Sequence, residues 1–212
     1  FMDVRDPARE RGGAVAVARY LKSRIRDELH LTASVGVAPN KFLAKLASDM
    51  DKPDGLTVVP VEPDAIREFL APLPVTAIWG VGKKTASRLQ QLGLHTIRDV
   101  QERDLPTLIR MTGQTLAVHL HSLAFGRDER SVSTEHVEKS ISNEHTFGED
   151  CTVRRQVSQR LIELTEKVGR RLRASGKFAR TGLIKVRWAD FSTLTRQQSL
   201  DLPTNSDRAL LR

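Results

Sequence analysis

The sequence predicts an α+β protein of several domains. A partial α/β layer is expected over residues 1–60, a helical bundle with a helix-hairpin-helix over 61–130, and an incomplete β-α-β-β domain over 139–212, with 131–138 as a linker. Three observations predict this. Strand-like and helical patterns alternate as far as Val59, the order of an α/β layer. From Val61 to about Arg130 only short helical patterns joined by brief loops follow. Past the polar stretch SVSTEHVE, Ser131 to Glu138, strand periodicity returns around one long helix.

Phe1 to Val4 alternates apolar and polar and reads as the end of a strand. Asp6-Pro7 suits a helix start, and the helix is expected to reach Leu29 with Val15, Ala18, Leu21, Ile25 and Leu29 on one stripe. Gly12 and Gly13 weaken its first turns. LTASVGVA, Leu31 to Ala38, reads as a buried strand, and Pro39-Asn40 opens a second helix, KFLAKLASDM, with Phe42, Leu43, Leu46 and Met50 inward. Lys52-Pro53-Asp54-Gly55 is a turn before a short strand, Leu56 to Val59. Three strands make a thin sheet, so further strands are expected upstream of Phe1.

The bundle is read as helices at 63–70, 82–92, 96–101, 105–110 and 113–125. Its most informative stretch is AIWGVGKKTASRLQQLG, Ala77 to Gly93. Gly80 and Gly82 carry no Cβ, so the backbone can reach positive φ and a ligand can approach the main chain. The first amides of the following helix have no intrahelical acceptor, and with the helix dipole they form an anion site. Lys83 and Lys84 oppose that dipole but suit a bound phosphate. Ala86, Leu89 and Leu92 face inward, and Gly93 stands where a helix ends. This is the pattern of a helix-hairpin-helix, which holds the nucleic-acid backbone through amides and reads no sequence. The competing reading is an ordinary corner whose glycines only permit close packing. Gly113, in Met111 to Gln114, offers a second, weaker hairpin.

In the third region KSISNEHTF, Lys139 to Phe147, alternates like a strand with one wet face. A helix from about Thr152 to Ala174 follows, with Val153, Val157, Leu161, Leu164, Val168 and Leu172 as its core stripe. Gly182 to Phe191 and Leu194 to Leu202 read as a hairpin through Asp190 to Thr193, and Asn205 to Arg212 begins another helix. The long helix is expected to cover one face of the sheet and leave the other, with Lys139, Lys185 and Arg187 on its strands, for a ligand.

Charge supports a polyanionic partner. The net charge is +8 and the isoelectric point about 10.1. Lys139 to Arg187 holds 12 Lys and Arg against 5 Asp and Glu, most of that excess. Cys151 is the sole cysteine, which excludes a disulfide framework and points to a reducing, cytoplasmic compartment. No apolar run reaches the roughly 20 residues of a membrane span. The six histidines show no ligand spacing, Trp79 and Trp188 read as packing residues, and Asp49 and Asp51 do not converge on one face.

SVGVAPNKFLAKLASDMDKPDG (Ser34 to Gly55), IWGVGKKTASRLQQLG (Ile78 to Gly93) and HVEKSISNEHTF (His136 to Phe147) together resemble, in this order, signatures of the Y-family DNA polymerases of the DinB type. The resemblance implies that 1–60 is the distal palm, 61–130 the thumb and 139–212 the little finger, incomplete in its strands. It implies a parent enzyme that performs template-directed nucleotidyl transfer past damage with two Mg²⁺ ions, on primer-template DNA and deoxynucleoside triphosphates, with a sliding clamp as a further partner. The family's metal-binding carboxylates belong to a Ser-Ile-Asp-Glu-Ala-like segment and to more upstream sequence, so no catalytic or metal residue is assigned here. Lys52 matches the lysine that reaches the triphosphate. Gly80, Gly82, Lys83 and Thr85 match the phosphate contacts of the thumb, and Lys139, Ser140 and Ser142 the strand along the template, although Glu138 stands where basic residues are common. Lys185 and Arg187 join them as DNA-binding candidates. The alternative is a non-catalytic, sequence-independent DNA-binding protein; a helix-hairpin-helix nuclease or glycosylase would need a constellation not found here.

Overall fold

The computed structural model describes residues 1–135 and 138–211; His136 and Val137 of the expected linker, and Arg212, lie outside the described residues. The chain divides into two compact units, Phe1–Thr134 and Glu135–Arg212.

In the first unit α1 (Arg5–Arg11) and α2 (Ala14–Leu29) replace the single helix expected. Gly12 and Gly13, at φ 77° and 113°, take the backbone out of the helical region and break it. Phe1 to Val4 forms no strand, because the ladder of β1 and β2 does not extend to it. β1 (Val35–Val37) and β2 (Leu56–Val58) pair in parallel, with Val35 opposite Leu56, and α3 (Lys41–Met50) crosses between them. β1 is shorter than the eight residues expected, and Leu29 and Met50, read as inward, are exposed at the ends of their helices. Gly36 lets β1 lie directly on α3: a Cβ there would sit 2.2 Å from the Ala44 carbonyl oxygen.

The helices of the bundle follow as expected: α4 (Pro63–Leu70), α5 (Lys83–Gln91), α6 (Ile97–Gln101), α7 (Leu105–Thr112) and α8 (Gln114–Ala124), with a 3-10 turn at Val75–Ala77. One apolar cluster runs from Phe42, Leu43 and Leu46 of α3 through Ile78, Leu89, Ile97 and Leu108 to Leu120 and Ala124. Packing is therefore continuous from residue 42 to residue 124.

In the second unit α9 (Arg154–Ala174) precedes β3 (Ala179–Arg187) and β4 (Thr193–Thr204), an antiparallel hairpin, and the one-turn α10 (Asp207–Leu210). Arg173 of α9 holds α10 by donating to the Asp207 carboxylate and the Asn205 carbonyl, and buried Gly169 makes room for the contact. Two expectations fail here. Lys139 to Phe147 forms no strand; side chains tether this stretch instead, Arg171 donating to the Ser142 carbonyl at 2.8 Å and Lys177 to the Glu138 carboxylate at 3.1 Å. Nor does α9 cover one face of the hairpin: Ile184, Val186 and Leu194 on one face and Leu183 on the other are all exposed. The core stripe of α9 fades accordingly, from buried Leu172 to exposed Val157 and Val153.

Candidate nucleic-acid interface

The glycine turn is built as a close reversal. The Val81 N–H donates to the Ile78 carbonyl at 3.0 Å, and Gly80, third of the four turn residues, has φ 94°. That position requires the left-handed region, so glycine is needed there. Gly82 differs from expectation, since its φ of −81° suits any residue. As the N-cap of α5 it offers no side chain to the amides beyond it, and a Cβ there would meet nothing within 4 Å. The absent side chain thus relieves no contact within the protein; it leaves the helix end open.

α5 begins with no capping side chain and no acidic residue in its first turn. In the first turn, whose amides have no intrahelical acceptor, Lys83 and Lys84 are exposed and Thr85 is half-buried. The far end is closed from within. The Gly93 N–H reaches the Gln90 carbonyl and the Leu94 N–H the Leu89 carbonyl, the paired bonds of a Schellman cap. One end is sealed and the other left open, so no side chain neutralises the positive end of the dipole at the turn.

Several neighbours of the turn escape a reading by sequence pattern. His119 of α8 bonds through Nε2 to the Trp79 carbonyl at 2.7 Å. Trp79 is not a core residue: it is 37% exposed, stacked with Phe1 on one side and with the Arg130 guanidinium, 4.2 Å from its ring centroid. Arg130 is bound by Asp128, whose side chain is 2% exposed and whose carboxyl is held below the usual carboxylate range, first by the Arg130 hydrogen bond. Trp188 is likewise exposed, on the second unit.

Lys52 lies at the apex of the turn before β2, its ammonium 2.6 Å from Asp49, which also pairs with Lys45. These cations keep the Asp49 carboxyl low, Lys45 chiefly. The turn is clamped from beneath by Lys22 of α2. Its largely buried ammonium donates to the carbonyls of Ala33, Asp54 and Gly55 and, at 2.5 Å, to the Asp54 carboxylate. Lys22 holds the Asp54 carboxyl low by that bond, with Arg26 adding to it.

In the second unit Lys185 and Arg187 stand on one face of β3, with Thr195 and Thr193 opposite them on β4. Lys139, Ser140 and Ser142 are exposed on the segment before α9. The basic strand face is real, but Lys139, Ser140 and Ser142 are not part of its ladder.

The fold and these sites define a multidomain α+β protein with an open-ended helix-hairpin-helix in one unit and a basic β-hairpin in the other. Comparison with known proteins agrees. Residues 1–49 match the impB/mucB/samB family, 63–94 the IMS family HHH motif, and 138–212 the impB/mucB/samB family C-terminal domain. The chain is 42% identical over 199 residues to a DNA polymerase IV of Alkalilimnicola ehrlichii, covering 94% of this chain and 55% of that one. It is 42% identical over 212 residues to one of Methanoculleus marisnigri, covering 100% and 58%. A Y-family DNA polymerase chimera built from Dbh and Dpo4 superposes with TM-score 0.77 at 24% identity, covering 99% of this chain and 59% of the chimera. An insertion ternary complex of Dbh DNA polymerase gives 0.56 at 25%, covering 99% and 60%. The chain belongs to the impB/mucB/samB family, the Y family of DNA polymerases. It spans about half the length of the curated relatives it matches.

Proposed function

We propose that this chain is the DNA-holding part of an error-prone, translesion DNA polymerase. Residues 61–130 act as the thumb and grip the duplex backbone through the amides at Gly80, Gly82, Lys83 and Thr85. Residues 139–212 act as the little finger, with Lys185, Arg187, Lys139, Ser140 and Ser142 along the DNA, and 1–60 as the distal palm, from which Lys52 reaches the triphosphate. The observation that carries this reading is the open N-terminus of α5, uncapped, free of acidic side chains and flanked by Lys83 and Lys84. Contacts of this kind hold phosphates and leave base edges unread, as copying any template requires.

Nucleotidyl transfer by the whole protein uses two Mg²⁺ ions in this reading. Among the described residues no group of three or more His, Cys, Asp or Glu could hold a metal, so the residues present do not fit that role. Lys52 contributes a point charge toward a triphosphate. A cytoplasmic location and a sliding clamp as partner belong to the same proposal; no helix among the described residues is long and apolar enough to cross a membrane. A second reading, for the chain by itself, is sequence-independent DNA binding without catalysis.

Fluorescence anisotropy on a labelled primer-template duplex, from about 50 to about 200 mM salt, tests the grip, because backbone-dominated binding weakens steeply with salt. Binding that ignores salt would sink the proposal. A parallel primer-extension assay with Mg²⁺ and four nucleotides is expected to show no product, and extension would mean that the chain carries catalytic ligands of its own.

A further inference from the structure

The inference rests on the reading of the glycine turn as a phosphate grip and adds the residues that hold that grip in place. Trp79, the residue before Gly80, is fixed from two directions. Its carbonyl oxygen is bonded to His119 Nε2 at 2.7 Å, and its indole face is covered by the Arg130 guanidinium. Arg130 is itself held side-on: Nε donates to Asp128 Oδ1 at 2.7 Å and Nη2 to Oδ2 at 2.9 Å. Asp128 Oδ2 also accepts the Phe42 N–H at 2.9 Å, in the first turn of α3, and the N-cap Asn40 of that helix donates to the Gly126 carbonyl at 2.7 Å. A chain of contacts thus runs from α3 through Asp128, Arg130 and Trp79 to the turn, with His119 closing it from α8.

We propose that Asp128, Arg130 and His119 are positioning residues for DNA binding. They lock the peptide ahead of Gly80, so that the amides from Gly82 to Thr85 are already aimed when a phosphate arrives and little ordering remains to be done on binding. Arg130 does not contact phosphate. Its charge is matched by a buried carboxylate, and its flat face is occupied by the indole.

Salt dependence separates positioning from contact. Losing a phosphate contact lowers the slope of log K against log salt by about 0.9, whereas a misplaced grip weakens binding at every salt and leaves the slope alone. The experiment is the same duplex titration with the full chain and the variants Arg130→Gln, Arg130→Lys, His119→Ala and, as a contact control, Lys83→Gln. Arg130→Gln and His119→Ala are expected to bind roughly three- to tenfold more weakly with the wild-type slope, the scale of one lost interaction of about 1 kcal/mol. Arg130→Lys should not restore affinity, because an ammonium has neither the planar face nor the fork. Lys83→Gln should lower the slope by about 1. A lowered slope in Arg130→Gln would make Arg130 a phosphate contact and overturn the proposal, and unchanged affinity in His119→Ala would overturn it too. If Arg130→Gln unfolds the chain, His119→Ala, which leaves Asp128 untouched, still decides. A wild-type chain with no salt-dependent binding would remove the phosphate grip itself, an outcome distinct from any variant result.

Discussion

The two units differ in where their order comes from. Phe1–Thr134 buries a continuous apolar cluster that reaches from α3 to α8 and sets the glycine turn on a fixed base. Among the described residues of 135–211, only Gly169 and Leu172 are buried. The second unit keeps its form through the β3–β4 ladder and ion pairs such as Arg173–Asp207. Exposed ion pairs contribute little and are screened by salt, so the first unit is held by its core and the second by weaker, salt-sensitive contacts.

The contrast breaks most visibly in stability. Leu89→Ala, at a fully buried position beneath the turn, should cost about 2–5 kcal/mol, whereas Ile184→Ala on the exposed hairpin should stay within about 0.5 kcal/mol. Urea denaturation measures both, and equal costs would show that the hairpin buries more than the structure describes. A smaller effect concerns acid. The Asp128 carboxyl is depressed in the folded state, so its contribution is present above the unfolded-state value of about 4 and is lost as pH falls through the lower folded-state one. Asp128→Asn should therefore lower stability at neutral pH and flatten the acid limb of thermal denaturation below about pH 4. A variant with the full wild-type acid limb would show that other carboxylates set it. Smallest is Asp49→Asn, which removes an anion from between Lys45 and Lys52. Because both pairs are exposed, affinity for inorganic tripolyphosphate should rise only about twofold by phosphorus NMR titration. A fall would mean that Asp49 aims Lys52.

Legibility in the sequence follows the range of the forces. α3 begins where Asn40 predicts, because the cap is local: the Asn40 side chain accepts the Leu43 N–H. α4 likewise begins at Pro63, a residue suited to the first turn. The open end of α5 could be read from Gly82 and the lysines beside it, but not which glycine needed positive φ, since only Gly80 does. The alternation in Lys139 to Phe147 was not enough for a strand, because a strand is made by its partner. The brace around Trp79 was invisible, since Asp128 reaches Phe42 across 86 positions and His119 reaches Trp79 across 40. Reading neighbours three or four apart cannot find such pairs. Pattern alone marks Trp79 as a packing residue and leaves out its partners, Arg130 and His119.

Lys22 carries a consequence of another kind. Its ammonium is ringed by three carbonyl oxygens and one carboxylate oxygen, all from the segments that flank β1 and β2. Seen without the side chain, this is an all-oxygen cage of the type that hard cations prefer. The protein has in effect tethered its own cation to α2 and placed it under the parallel strand pair. Lys22→Ala would leave three carbonyls without their shared donor, with Arg26 alone on Asp54, and should lower the first unit's melting temperature.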